Sequence, residues 1–94
     1  MLTHEDIRKA VLEVAAHFSL KKVSYFGSYA EGRASKESDL DLLVEFARPQ
    51  VSLLTIIGLK HSLEDKLKVP VDVIHAPVPE GALIEIDKAV LVYG

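Results

Sequence analysis

Ten residues separate two short signatures that constrain this chain more than anything else in it: Gly27-Ser28, and Asp39-Leu40-Asp41. The first closes an apolar, β-branched and aromatic run, Val23-Ser24-Tyr25-Phe26. The second opens another, Leu40 to Phe46. Both runs read as strands, in which residues two apart point to the same side. Asp39 and Asp41 therefore project together, and Leu40, Leu42 and Val44 face the opposite, core side. Two carboxylates so close repel each other, and a divalent cation bound between them relieves the conflict; Mg²⁺ suits such carboxylate-plus-phosphate sites. Taken alone, an Asp-x-Asp pair reads more readily as solvated loop residues capping a strand, since so short a motif recurs by chance.

Gly27-Ser28 alters that balance. A glycine at a strand end lets the backbone approach a ligand closely, and a following helical turn offers free N–H groups to an anion. Ser28 adds a hydroxyl. The stretch from Ser28 to Glu31 is expected to form that turn, with Gly32 as its stop. Arg33 to Ser38 is polar and reads as a loop.

A third carboxylate, Asp72, lies inside the otherwise apolar run Val69 to Ile74. A charge within a strand is seldom placed there by packing. If this strand lies beside the Asp41 strand, Asp72 joins the pair, and three carboxylates near a phosphate cradle have the layout of two-metal phosphoryl chemistry. The competing reading is an edge-strand charge that blocks aggregation.

The remaining chain supplies the scaffold. Thr3 and Asp6 form a helix start, with Leu2 and Ile7 placed as its hydrophobic staple. Ile7, Val11, Val14 and Phe18 mark one face of a helix over residues 4–18, closed by Ser19 and the Lys21-Lys22 pair. Ser52 is placed to cap a helix over residues 53–67, with Leu53, Ile56, Leu59, Leu63 and Leu67 inward. Leu54 and Ile57 fall off that face and read as an edge of the core or as a partner surface. Pro70 sits at the start of the third strand, where a missing N–H does least harm. Glu80 to Lys88 reads as a last helix, with Leu83 and Ile84 inward, and Ala89 to Tyr93 as an extended segment on the sheet edge. The expected fold is α+β in two layers: a small mixed sheet of three to four strands covered by helices, in the order αβαβαβα. It makes one domain over residues 1–94.

Charge and composition exclude several roles. A net charge of −3 leaves no basic field to hold a nucleic acid. No cysteine is present, which removes disulfides, thiolate metal sites and thiol nucleophiles together. The acidic N-terminus does not have the layout of a signal peptide, and no apolar run reaches the roughly 20 residues of a membrane span, so a cytoplasmic domain with no membrane contact is expected. The four histidines (His4, His17, His61 and His75) share no metal-ligand spacing and read as surface or structural residues.

Phe26-Gly27-Ser28-Tyr29-Ala30-Glu31-Gly32-Arg33-Ala34, leading to Ser38-Asp39-Leu40-Asp41-Leu42-Leu43-Val44 and then to Asp72, resembles the nucleotidyltransferase superfamily related to DNA polymerase β. The likeness is to its minimal, stand-alone members, the MNT domains, and covers nearly the whole chain. It implies that Asp39 and Asp41 hold two Mg²⁺ ions and that Asp72 holds the catalytic one beside the acceptor hydroxyl. It also implies that Gly27 and Ser28 bind the nucleotide phosphates. Arg33 assists the triphosphate or simply faces solvent. Glu31 departs from the pattern, since many relatives carry a basic residue there.

The resemblance further implies transfer of AMP from ATP to a hydroxyl. For minimal members the usual acceptor is a tyrosine of a HEPN-domain ribonuclease toxin, with the MNT protein as antitoxin. Two other readings stand beside it: a non-catalytic antitoxin that works by covering its toxin, and nucleotidyl transfer to a small molecule.

Overall fold

The structure, a computed structural model, describes residues 2–35, 37–48, 50–76 and 88–94. Helix α1 (His4–Ala15) begins as its sequence dictates: the Asp6 N–H donates to Thr3 Oγ1 at 3.1 Å, and the Thr3 N–H donates to Asp6 Oδ2 at 2.9 Å. Leu2 and Ile7, the expected staple residues, both join the core. The helix ends three residues earlier than its apolar spacing suggests. Ser19 takes a positive φ of 54°, which turns the chain back, and β1 (Leu20–Phe26) has already begun at Leu20. Lys21 and Lys22 therefore lie on the strand and do not close the helix.

Strand β2 (Leu40–Phe46) runs antiparallel to β1 and alternates strictly, with Leu40, Leu42, Val44 and Phe46 buried and Asp41, Leu43 and Glu45 half-buried. Helix α2 (Leu53–Leu67) has the expected bounds. Ser52 caps it by accepting from the Thr55 N–H at 3.2 Å, and Lys68 closes it at φ 60°. Leu59, Leu63 and Leu67 are buried as expected, and Ile56 is partly so, but Leu53 is not: it is 70% exposed. The inward stripe starts one turn later than the spacing implied, because the first turn of α2 projects past the core. Leu54, at 80% exposure, and Ile57 are exposed beside Leu53, so the core-edge reading of that pair is overturned.

Strand β3 (Val71–Ala76) is shifted two residues C-terminal to its expected span, and Pro70 precedes it. Strand β4 (Ala89–Tyr93) is a true strand paired to β1. The sheet order is β3-β2-β1-β4, with β2 and β3 parallel and the other two pairs antiparallel. This is the mixed α+β sheet expected from the sequence, with four strands. The expected single turn after Gly27 is present, closed by the Glu31 N–H on Gly27 O and stopped at Gly32, and is too short to count as a helix of its own. The expected last helix, Glu80 to Lys88 with Leu83 and Ile84 inward, lies outside the described residues apart from Lys88.

Both helices pack on one face of the sheet, α1 over β1 and β4 and α2 over β3, and Glu13 joins Lys66 at 2.8 Å between them. Among the described residues, the core therefore lies between that face and the helices. The other face carries the alternate residues of each strand, including Asp41 and Asp72.

Candidate active site

Register brings the carboxylates together. Asp41 lies directly opposite Asp72 in the parallel β2–β3 pair, and opposite Phe26 in the antiparallel β1–β2 pair. The inference that Asp72 would join Asp41 if the strands were neighbours is thus met by the pairing itself. Asp39 is exposed, immediately before β2, and its charge reaches Asp41. Asp72 is exposed and Asp41 half-buried.

Gly27 follows Phe26 and therefore abuts Asp41. Its φ is +71°, which L side chains rarely adopt, and a Cβ placed on it would collide with Asp41 Oδ2. Two independent features disfavour a side chain here: the left-handed backbone, which strains an L residue, and the Asp41 carboxylate, which would have to move. The chain then turns, with the Glu31 N–H donating to Gly27 O at 3.0 Å and the Arg33 N–H to Ser28 O at 2.8 Å. Gly32 also has positive φ, at +72°, but open space around it. Ser28 is half-buried at the start of this turn, adjacent to the carboxylates.

Arg33 is exposed and pairs with Glu31 at 3.1 Å, so its guanidinium is shared with the residue that departs from the family pattern. Tyr29, beside Ser28, packs against the core, and its hydroxyl has no hydrogen-bond partner among the described residues.

The electrostatics of this corner are repulsive. Partial burial pushes the Asp41 carboxyl above the usual carboxylate range, and the Asp72 and Asp39 charges push it further. Among the described residues no three acidic or histidine side chains stand in metal-holding positions. The donor set is nevertheless one that Mg²⁺ favours: carboxylate oxygens alone, mutually repelling, with a glycine keeping one side of Asp41 clear. Asp41 and Asp72, in register across β2 and β3, supply oxygen donors of the kind such an ion takes, and the Asp39 charge reaches Asp41. The histidines lie elsewhere: His4 Nδ1 bonds the Tyr25 hydroxyl at 2.9 Å, and His75 meets the Phe46 ring edge-on.

One part of the site escaped the sequence reading. Lys60 Nζ on α2 donates to Val71 O at 2.7 Å and to Glu64 Oε2 at 3.0 Å, and the Val71 N–H donates to that same Glu64 oxygen at 2.9 Å. The i,i+4 spacing of Lys60 and Glu64 was the available signal. That spacing does not say that a strand backbone lies beneath the pair.

Comparison with known proteins agrees with this geometry. The family model for the nucleotidyltransferase domain matches residues 7–91. The protein adenylyltransferase MntA of Thermococcus cleftensis is 37% identical over 78 residues, covering 79% of this chain and 78% of that one. A solved structure provisionally described as a minimal nucleotidyltransferase superposes with a TM-score of 0.75 at 34% identity, covering 95% of each chain. At 17% identity, the fold is also that of an MNT antitoxin solved with a tri-AMPylated HEPN toxin of Shewanella oneidensis (TM-score 0.72, covering 98% of this chain and 73% of that one).

Proposed function

We propose that this chain, which belongs to the nucleotidyltransferase domain family, transfers AMP from ATP to a tyrosine hydroxyl of a HEPN-domain toxin and serves as its antitoxin. The observation that carries the proposal is the in-register pairing of Asp41 with Asp72, set against the side-chain-free Gly27. A 37% identical relative bears the name of a protein adenylyltransferase, which supports protein as the acceptor class. The HEPN partner follows from the family resemblance, and a neighbour of the same fold is an antitoxin bound to such a toxin.

Asp39 and Asp41 would hold both Mg²⁺ ions, and Asp72 would hold the one nearer the acceptor. Bound there, Mg²⁺ supplies charge neutralisation for the phosphates and lowers the pKa of the acceptor hydroxyl. This chain's own part begins with binding. The Gly27 backbone and the Ser28 hydroxyl receive the triphosphate, and Arg33, released from Glu31, faces its outer phosphates. The carboxylates orient the acceptor oxygen in line with the α-phosphorus. The hydroxyl releases its proton to water, its oxygen forms a bond to phosphorus as the bond to pyrophosphate breaks, and pyrophosphate leaves.

The exposed Leu53, Leu54 and Ile57 at the start of α2 offer an apolar surface for the partner. The test is ATP labelled in the α-phosphate or in the γ-phosphate, supplied with Mg²⁺ and the product of the neighbouring open reading frame. Nucleotidyl transfer retains only the α-label on protein. Retention of the γ-label would mean phosphoryl transfer and would sink the proposal.

A further inference from the structure

We infer that Lys60 and Glu64 are positioning residues for Asp72, acting through the backbone of Val71. The inference rests on the metal-site reading above.

Among the described residues, strand β3 pairs with β2 alone, and its other edge has no strand neighbour. Edge N–H and C=O groups need partners, and a buried one left unpaired is costly. Val71 is fully buried, and both its N–H and its C=O are taken by α2 side chains: the N–H by Glu64 Oε2 and the C=O by Lys60 Nζ. The two side chains also bond each other, closing a three-membered circuit around one residue. On the opposite side, the Leu40 N–H donates to Pro70 O at 2.9 Å, and Leu40 is the register partner of Val71. Val71 is thereby fixed from helix and strand together.

Asp72 is the next residue. Its side chain is exposed, so its backbone chiefly sets its position. A β3 strand that slipped or frayed at Val71 would carry Asp72 away from Asp41. Repulsion between the two carboxylates pushes in that direction whenever no cation lies between them. The Leu59 and Leu63 stripe anchors α2 in the core, and the adjacent Lys60–Glu64 stripe transmits that fixed position to β3. The pair does not touch the reacting atoms. Its contribution is the place of Asp72.

The test is Mn²⁺ titration of the purified chain, read from the signal of free Mn²⁺ by electron paramagnetic resonance, with thermal unfolding measured in parallel. Glu64→Ala should weaken Mn²⁺ binding about 10-fold, the scale on which outer partners of metal ligands act. Glu64→Gln keeps an amide oxygen for the Val71 N–H and should restore most of that affinity. Lys60→Met should fall between them, and these two milder variants decide the matter if Glu64→Ala fails to fold. Variants that lose thermal stability but bind Mn²⁺ as the wild type does would show a merely structural clamp and overturn the inference. Wild-type protein that binds no Mn²⁺, or binding that persists in Asp41→Asn, would instead overturn the metal-site reading itself.

Discussion

Asp41 and Asp72 face each other across adjacent parallel strands, and the Asp72 charge is the largest adverse charge on Asp41. Their mutual repulsion opposes folding at this corner when both are ionised. A carboxyl whose pKa is raised by folding binds its proton more tightly in the native state. Its stabilising effect is therefore full at low pH and is lost as pH rises from the ordinary value of 3.8 through the raised one. At neutral pH the ionised Asp41 opposes folding. Asp41→Asn should accordingly raise the melting temperature of the metal-free protein by a few degrees near pH 7, with the gain shrinking toward pH 4. Mg²⁺ should raise the melting temperature of the wild type and leave that of Asp41→Asn nearly unmoved. Calorimetry across pH, with and without Mg²⁺, checks both.

Gly27 and Gly32 give an internal comparison. Both have positive φ, but only at Gly27 does a Cβ strike another group, the Asp41 carboxylate. Gly32→Ala should cost about 1–2 kcal/mol, the backbone penalty alone. Gly27→Ala should cost more and should also abolish AMP transfer. Chemical denaturation of the two variants side by side measures the difference, and equal losses would remove the carboxylate contact from the account.

The Gly27–Asp41 corner also shows how far the sequence could be read. Strand alternation placed Asp39 and Asp41 together and sent Leu40, Leu42 and Val44 inward, because a strand's period of two is fixed by backbone geometry. The bounds of α2 followed from Ser52 and the leucine spacing. Asp72 was legible only as an anomaly, a charge in an apolar run. Its pairing with Asp41 depends on β3 lying beside β2, which is a long-range fact. Leu53 was misread because periodicity says which residues share a face but not where along the helix the core ends. The turn after Gly27 fell short of a helix because Gly27 and Gly32 both take positive φ, leaving room for only one hydrogen-bonded turn between them.

Glu64 should shape the acid limb of the stability curve. The Val71 N–H, and after it the Lys60 ammonium, hold its carboxyl below the ordinary 4.5. A depressed pKa contributes stability that is present above the unfolded value and is lost as pH falls through the folded one. Glu64→Gln should therefore lose stability relative to wild type at pH 7, with the gap closing below about pH 4.5. Unfolding midpoints at a series of pH values give the result directly. A gap that does not change with pH would assign the effect to something other than the charge.

The apolar surface of α2 should be separable from the chemistry. Leu54 is 80% exposed, so Leu54→Asp should change folding stability by less than about 0.5 kcal/mol. Paired with Ile57→Asp it should weaken binding to the HEPN partner at least 10-fold, on the order of a hot-spot loss. Binding isotherms beside melting curves distinguish an interface from an unexplained exposed edge.

Intact mass spectrometry of the HEPN partner tests the central claim most directly, after incubation with ATP, Mg²⁺ and this chain, either wild type or carrying Asp39→Asn and Asp41→Asn together. The account predicts a gain of whole AMP masses on a partner tyrosine with the wild type and none with the variant. A partner that gains no mass, yet binds wild type and variant equally well, would contradict it and leave a protein that neutralises by occlusion alone.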